Sequence, residues 1–293
     1  MNNIAIGIVG LGYWGKNYLR TLREYDCCQL FGTDVDEKIR KDFQNLQLLS
    51  FSELLANSAI QALVIATPDD THFQLTAQAL GAGKDVLVEK PMALSLPDAE
   101  EILNIALSQK RVVAVGHTPI YSDGFRLLKL QMKKIPLKDI IRVEAVRTSH
   151  GRKNNSDILW DLASHDLAIL IQLFGLPKSG KIVKRGWQSC CYQMFFDNDI
   201  EFTGTVSWSG PPFHRELKVY TKSGVHHFQE PIGVGGQNSD LPLKRLCADF
   251  IRCCYTREKP LSDAVLGFNV VKCLAALSAQ NASIRLPKPV DVM

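Results

Sequence analysis

Residues 4–15 read IAIGIVGLGYWG, and this stretch decides the fold of the first part of the chain. Its first six residues are apolar and mostly β-branched, which is typical of a strand buried on both faces. Glycines follow at Gly10, Gly12 and Gly15, and aromatic and leucine side chains then recur at helical spacing. The stretch therefore predicts a buried strand, a glycine-rich turn and a helix.

The pattern G-x-G-x-x-G has a specific physical meaning between a strand and a helix. Gly10 permits the tight turn, Gly12 lets the backbone approach a diphosphate, and Gly15 allows the helix to pack closely on the strand. Asp34 stands 19 residues after Gly15, where a carboxylate binds a ribose 2′-hydroxyl and repels a 2′-phosphate. The pattern therefore predicts NAD binding in preference to NADP. The predicted cofactor site comprises Gly10, Gly12, Tyr13, Trp14, Gly15 and Asp34.

Strand and helix patterns alternate as far as residue 118, which predicts a parallel sheet with right-handed crossovers. Ser95 and Asp98 bracket the start of one predicted helix, with Pro97 in its first turn. The predicted elements are strands at 28–34, 62–68, 85–91 and 112–118 and helices at 72–84 and 95–109. Residues 1–118 are thus predicted to form a Rossmann domain in a chain of the α/β class.

The pattern changes after residue 118. Between about 181 and 230, five strand-like runs separated by turn residues predict an antiparallel sheet. The other predicted elements are a strand at 140–148 and helices at 123–134, 157–175, 241–255 and 263–280. Residues 119–293 are therefore predicted to form a second domain of the α+β type.

The composition excludes several classes of protein. Of 293 residues, 46% are hydrophobic and 22% are charged, and no apolar stretch approaches the ~20 residues that span a bilayer. The N-terminal residues lack a basic region and a cleavage site, so no signal peptide is predicted. The eight cysteines have spacings that suit neither disulfides nor zinc. This predicts reduced thiols, no metal site, no membrane partner and a cytoplasmic location.

The charge is divided unevenly along the chain. Residues 1–118 carry 10 basic and 14 acidic side chains, whereas residues 119–293 carry 24 and 16. Eight of the basic residues fall between positions 129 and 153. This run is interpreted as a solvated helix face with its flanks, and the alternative is a field that favours an anionic ligand. Because no aromatic interleaving or nucleic-acid motif accompanies the run, no nucleic-acid partner is predicted.

Residues 157–175, DILWDLASHDLAILIQLFG, combine an apolar helical run with polar residues near its start. On an α-helix, Asp161 and His165 are i, i+4 neighbours and share one face. Asp166 points about 100° away from His165. This spacing predicts that Asp161 and His165 act together and that Asp166 is a structural or rim residue.

Three further motifs follow GLGYWG along the chain. They are IATPDDTH (65–72), VLVEKP (86–91) and WDLASHDL (160–167). In this order, and over nearly the whole chain, the four motifs resemble the glucose-fructose oxidoreductase/inositol dehydrogenase (Gfo/Idh/MocA) family. The resemblance implies an N-terminal Rossmann domain and a second α/β domain with a large open antiparallel sheet for substrate binding and oligomerisation. It also implies hydride exchange between a nicotinamide and a sugar or polyol carbon.

The resemblance also assigns roles by position. Lys90 matches the lysine of the family's E-K-P motif, and His165 matches the histidine of D-x-x-x-H. As a general base, His165 would take the hydroxyl proton of the carbinol, while Lys90 would stabilise negative charge on the same oxygen. Asp161 would orient His165 or bind a second substrate hydroxyl. The predicted catalytic residues are therefore Lys90, His165 and Asp161.

Further residues are candidates for the cofactor cleft and the substrate site. His72 begins a predicted helix that packs on the sheet, which favours a structural role for it. The resemblance implies that Thr67 and Pro68 line the dinucleotide cleft and that Glu89 shapes the turn that presents Lys90, so the remaining cofactor candidates are Thr67, Pro68, His72, Glu89 and Lys90. The candidate substrate contacts are His117, Tyr121, Arg152 and Lys153.

Two positions depart from the family pattern. Many members have glycine where this chain has Ala163, and asparagine and arginine near His117 and Tyr121. The stretches VGHTPIYSDGF and WDLASHDL are similar to members that act on nucleotide-linked sugars. The prediction is an NAD-dependent oxidoreductase of a nucleotide-activated sugar that forms homo-oligomers through the open sheet.

Three alternatives stay open. The first is an oxidoreductase of a free sugar or polyol, and the second is a non-catalytic NAD-binding regulatory protein of the same fold. The third is an NADPH-linked dihydrodiol or biliverdin-type reductase. Asp34 argues against the third, because the basic residues Arg40 and Lys41 come only further along the chain.

Overall fold

The computed structural model describes residues 3–149, 157–209, 214–230, 241–279 and 284–285. The chain forms two compact units. Residues 1–118 and 240–268 make up the first unit, and residues 119–239 and 269–293 make up the second.

The first unit contains a six-stranded parallel sheet, which confirms the predicted Rossmann sheet. Its strands are β1 (Ile4–Val9), β2 (Cys28–Thr33), β3 (Gln47–Leu48), β4 (Ile60–Ile65), β5 (Asp85–Val88) and β6 (Val113–Val115), in the order β3-β2-β1-β4-β5-β6. Every residue of β1 and β5 is buried. The short strand β3 was not apparent in the sequence pattern.

The helices of this unit begin where the sequence supplies capping groups. They are α1 (Tyr13–Leu22), α2 (Glu37–Lys41), α3 (Phe51–Ala56), α4 (His72–Gly81) and α5 (Leu96–Ser108). Ser50 and Glu53 form a reciprocal capping box at α3. Ser95 accepts a hydrogen bond from the backbone N–H of Asp98 at α5, with proline in the first turn, as predicted.

Helix α8 (Leu241–Thr256) also belongs to the first unit, whereas the sequence interpretation assigned it to the second domain. The Tyr25 hydroxyl after α1 donates to the carbonyl of Lys244 at 2.9 Å. Arg257, just after α8, donates to both carboxylate oxygens of Asp85 on β5. These contacts join residues more than 170 positions apart, so sequence pattern could not indicate them.

The second unit contains a seven-stranded sheet in the order β12-β11-β7-β10-β9-β8-β13. Its strands are β7 (Ile140–Thr148), β8 (Ser179–Arg185), β9 (Ser189–Phe195), β10 (Glu201–Ser207), β11 (Arg215–Thr221), β12 (Gly224–Gln229) and β13 (Ile284–Arg285). All neighbouring strands named here are antiparallel except β7 and β10, which run parallel. The sheet is therefore mixed, because the chain leaves β7 and returns beside it only after a long crossover.

Along β9 and β10 buried residues alternate with half-exposed or exposed ones, so one face of the sheet is covered and the other faces outward. Helix α6 (Asp123–Met132) contacts β12, and a π-helical turn at Leu159–Ala163 leads into α7 (Ser164–Phe174) and contacts β7 and β10. The last helix is α9 (Ala264–Ser278). Among the described residues, no helix combines the length and apolarity needed to cross a membrane.

Candidate active site

The glycine-rich turn connects β1 to α1, and its three glycines are required for different reasons. Gly10 has a φ of +86°, and a Cβ on Gly15 would lie 1.9 Å from the Gly10 carbonyl oxygen. These two glycines are therefore needed by the protein's own backbone. A Cβ on Gly12 would have no atom of the chain within 4 Å. Gly12 is the N-cap of α1 and has no side chain over the first turn of N–H groups, as a phosphate-binding turn requires.

Asp34 follows β2 and is held against this turn. Its Oδ2 accepts a hydrogen bond from the Leu11 backbone N–H at 2.7 Å, and its Oδ1 accepts one from the Asp36 backbone N–H at 2.9 Å. The carboxylate is thereby fixed beside the glycines, where the sequence predicted it. Tyr13 in the turn is exposed, and its ring meets that of Trp14 edge to face at 5.5 Å.

Thr67 and Pro68 follow β4 at the same edge of the sheet. The Thr71 hydroxyl donates to the Thr67 hydroxyl at 2.7 Å. The buried ring of His72 lies between two carbonyl oxygens, with Nδ1 2.7 Å from that of Pro91 and Nε2 2.9 Å from that of Thr67. Because both ring nitrogens are used in this way, His72 fastens the loop after β4 to the turn after β5. This is the structural position that the sequence favoured for His72, and its contact with a cofactor stays a prediction.

Glu89 and Lys90 follow β5, and Glu89 is buried. Its Oε1 accepts a hydrogen bond from the Tyr18 hydroxyl of α1 at 2.7 Å, and its Oε2 accepts one from the Lys90 backbone N–H at 3.1 Å. Burial raises the pKa of Glu89, and the bond from Tyr18 and the charge of Lys90 oppose this rise. A Cβ on Gly116 would lie 3.0 Å from Oε2. Tyr18 and Gly116 therefore support the turn that presents Lys90, a role that helical periodicity alone did not reveal.

His117 is placed beside Lys90 by strand register. Val88 of β5 pairs with Val115 of β6, so Lys90 and His117 each stand two residues beyond a paired position. The His117 side chain is fully buried. Burial, and secondarily the charge of Lys90, lowers the pKa of His117 to about 3. His117 is therefore a neutral imidazole at neutral pH.

Stability should depend on pH through His117. The unfolded chain binds a proton at His117 below a pKa near 6.5, whereas the folded chain does so only near 3, so stability falls as pH falls through this window. Between pH 7 and 5 this amounts to about 2 kcal/mol. We expect His117→Gln to lose that much less stability than wild type over this interval, measured by urea unfolding. The control is His227→Gln, because His227 is exposed. If the stability of His117→Gln depended on pH as that of wild type does, His117 would not be the source of the pH dependence.

The second unit holds the other predicted catalytic residues. Asp161 lies in the π-helical turn, so the i, i+4 geometry of a continuous α-helix does not apply between it and His165. Its Oδ2 accepts a hydrogen bond from Trp208 Nε1 after β10 at 3.1 Å. His165 is the second residue of α7 and is half-buried. The sequence contained no signal for Trp208 as a partner of Asp161.

Asp166 is buried and forms an ion pair with Arg147 of β7 at 2.9 Å, so it is a structural residue. Arg147 belongs to the basic run that was interpreted as a solvated face. The structure corrects this interpretation for Arg147, which is 3% exposed. Arg142 of the same run is exposed but pairs with Glu144 at 2.7 Å. These pairings reduce the positive field that the run would otherwise provide.

Of the predicted substrate contacts, Tyr121 is buried near the start of the second unit. Arg152 and Lys153 lie outside the described residues. All eight cysteines are free thiols. No group of three or more His, Cys, Asp or Glu side chains that could hold a metal ion occurs within the described part of the chain.

The chain is similar to known oxidoreductases in sequence. Residues 4–117 match the model of the oxidoreductase family with an NAD-binding Rossmann fold, GFO_IDH_MocA. Over these residues the chain is similar to the Gfo/Idh/MocA family. The chain is 26% identical over 194 residues to the scyllo-inositol 2-dehydrogenase (NADP⁺) IolW of Bacillus subtilis, and the aligned part covers 61% of this chain and 54% of that protein. It is 25% identical over 179 residues to the UDP-N-acetylglucosamine 3-dehydrogenase of Acidithiobacillus ferrooxidans, and the aligned part covers 60% of this chain and 56% of that protein.

The chain spans just over half the length of the curated relatives it matches. Its fold also resembles that of GenD2 from gentamicin A biosynthesis, solved in complex with NAD. The TM-score is 0.90 at 18% identity, covering 98% of this chain and 97% of the other. At this identity the likeness shows the shared fold.

Proposed function

We propose that this protein is an NAD-dependent oxidoreductase that transfers hydride between nicotinamide and the carbinol or keto carbon of a sugar. The observation that carries the proposal is the turn between β1 and α1. A Cβ on Gly12 would meet no atom of the chain, so the chain itself does not require glycine there. A phosphate that approaches the backbone at the uncapped start of α1 explains it.

Several residues of the first unit fit the cofactor. Gly12 and the first-turn N–H groups of α1 would hold the diphosphate, and Asp34 would hold the adenosine ribose. Thr67 and Lys90 stand at the ends of neighbouring strands at the same edge of the sheet. When bound, the nicotinamide accepts or donates the hydride.

The proton is moved by the chain's own residues. We assign the general base to His165, which takes the hydroxyl proton as the carbinol becomes a carbonyl and returns it in the reverse direction. Lys90 donates a hydrogen bond to the same substrate oxygen and stabilises its developing negative charge. These two roles rest on the family motifs E-K-P and D-x-x-x-H, as does the supporting role of Asp161.

A nucleotide-activated sugar is the proposed substrate, and a free sugar or polyol is the second candidate. The 24 basic side chains against 16 acidic ones in residues 119–293 favour a substrate that carries a diphosphate. Of the two relatives named above, one is named for a polyol, scyllo-inositol, and the other for a nucleotide-activated sugar, UDP-N-acetylglucosamine. NADH formation should be measured across a panel of sugars with and without their nucleotide. Turnover that survives removal of the nucleotide would favour the free sugar or polyol.

A regulatory NAD-binding protein is the candidate from another class. Such a protein would bind NAD and show no single-turnover hydride transfer with any member of the panel. The proposal predicts transfer with at least one of them. The presence of Lys90 and His165 favours an enzymatic function, because a regulatory NAD-binding protein does not need both residues.

The preference for NAD over NADP should depend on Asp34. We expect Asp34→Ala to weaken NAD binding relative to NADP by at least ~10-fold, because the carboxylate no longer binds the 2′-hydroxyl or repels a 2′-phosphate. The ratio of the two dissociation constants, measured by fluorescence titration, tests this. Asp36→Ala is the matched control, since Asp36 is an exposed carboxylate two residues away. An unchanged ratio in Asp34→Ala would remove Asp34 from ribose recognition.

Self-association is proposed through the outward face of the second unit's sheet. Along β9, β10 and β11 the outward positions are half-exposed except at Ser189 and Glu201, which begin β9 and β10 and are exposed, and the half-exposed positions include Thr205 on the central strand β10. Light scattering should give at least twice the mass of one chain. Thr205→Arg should reduce the measured mass to that of a monomer. A monomeric wild-type protein would refute the proposed self-association.

A further inference from the structure

A buried network of charged side chains connects α7 to the sheet of the second unit. Arg147 on β7 contacts Asp166 Oδ1 through both Nε and Nη2 at 2.9 Å, and Nη1 donates to Glu230 Oε2 at 3.1 Å. Arg215 on β11 donates to the same Glu230 oxygen at 2.9 Å. The side chains of Arg147 and Asp166 are each 4% exposed and that of Glu230 is 7% exposed, so water does not screen these charges.

The strand register explains why Arg147 needs a carboxylate from α7. Arg147 and Arg215 are direct partners across the antiparallel pair β7–β11, and like charges in that position repel. Glu230 bridges the two guanidinium groups and satisfies one side of Arg147. The remaining donors of Arg147, Nε and Nη2, point to Asp166. A buried guanidinium without that partner is costly, so the first turn of α7 is tied to β7 at Asp166.

A second contact holds the chain on the other side of His165. Trp208 Nε1 donates to Asp161 in the π-helical turn that leads into α7. His165 therefore lies between two side-chain contacts, one from Asp161 to Trp208 just after β10 and one from Asp166 to Arg147 on β7. Since the turn before α7 is not a regular α-helix, helical spacing alone does not set the direction of the His165 side chain.

We propose that Arg147 and Asp166 are positioning residues for His165. Their buried ion pair sets the rotation of the first turn of α7 about its axis, and this rotation directs the imidazole of His165, the residue that precedes Asp166. The role in turnover rests on the function proposed above. The effect on the position of the His165 ring does not depend on that function.

Three variants test this proposal. Asp166→Asn removes the charge and keeps the shape, and Arg147→Met leaves Asp166 without its cation. The double variant Arg147→Met/Asp166→Leu replaces the ion pair with apolar groups and leaves Glu230 paired with Arg215, so it should fold even if Arg147→Met does not. The matched control is Arg257→Met, which breaks the ion pair between Arg257 and the buried Asp85 in the first unit.

The first measurement separates kcat from KM and from stability. With the fully folded protein, each of the three variants should lower kcat by ~10-fold or more, since a displacement of about 1 Å in a catalytic group has effects of this size. KM for NAD should stay within twofold of wild type. Arg257→Met should lower the thermal midpoint and leave kcat within twofold. Asp166→Glu, which keeps the charge, should recover part of the loss that Asp166→Asn causes.

The second measurement does not require activity. The imidazole NMR signals of His165, assigned with His165→Asn, should shift in Asp166→Asn and in the double variant and stay unchanged in Arg257→Met. Unchanged His165 signals in both variants would overturn the proposal, as would wild-type kcat in the double variant of an active enzyme. If the signals shift but wild-type protein transfers no hydride to any substrate, the positioning role holds and the proposed function fails.

Discussion

Replacing His165 with asparagine is expected to lower kcat by at least ~10²-fold, because asparagine retains a polar side chain but cannot exchange a proton near neutral pH. Binding of NAD should be largely unchanged, since the proposed cofactor contacts lie in the glycine-rich turn and at Asp34. Steady-state turnover gives the first quantity, and quenching of protein fluorescence by NAD gives the second.

The matched control for this variant is His227→Asn. His227 lies on β12 and is exposed, so its replacement should leave kcat within twofold. Thermal unfolding of both variants shows whether a loss of turnover reflects loss of fold. Turnover of His165→Asn at the wild-type rate would remove His165 from the mechanism and would leave Lys90 and Asp161 as the predicted catalytic residues.

Substitutions at Gly12 and Gly15 should separate cofactor binding from folding. Gly12→Ala adds a Cβ that meets no atom of the chain, so the thermal midpoint should stay within about 2 °C of wild type. The added methyl group occupies the space where a phosphate approaches the backbone, so NAD affinity should fall by ~10²-fold or more. Isothermal titration with NAD and a thermal melt measure the two effects.

Gly15→Ala should lose both thermal stability and NAD binding. Its Cβ would lie 1.9 Å from the Gly10 carbonyl oxygen, and a backbone carbonyl cannot move aside as a flexible side chain can. We expect destabilisation of about 3 kcal/mol or more, together with loss of NAD binding. Gly81→Ala is the control, because Gly81 is the last residue of α4 and a Cβ there meets nothing. If Gly12→Ala bound NAD as wild type does, the phosphate-binding role of the turn would be refuted.

Much of the first unit could be predicted because its determinants are local in sequence. Glycine spacing, apolar runs and the cap at Ser95 each lie within a few residues, and the structure confirms the turn, the parallel sheet and the start of α5. The position of Asp34 follows from the same short unit of strand, turn and helix. Lys90 and His117 could be named as candidates from motifs, and strand pairing then places them side by side.

The second unit was predicted less completely. Its strands were apparent from alternating residues and turns, but their pairing was not, so the parallel neighbours β7 and β10 were missed. The regular helical spacing of Asp161 and His165 also failed, because a π-helical turn interrupts the helix there. A single inserted residue in a helical turn leaves no signature in the apolar pattern.

The amino-acid sequence by itself determined most of the elements and the glycine-rich turn, since these depend on neighbours along the chain, while the candidate catalytic residues were named through the resemblance of their motifs to a known family. Tertiary structure alone decided what surrounds those residues. Glu89 is supported by Tyr18 from 71 positions away, and Arg147 bonds to Asp166 and Glu230 at separations of 19 and 83. Buried charges require partners wherever the fold brings them, and periodicity along one segment does not specify which distant residue will supply the opposite charge.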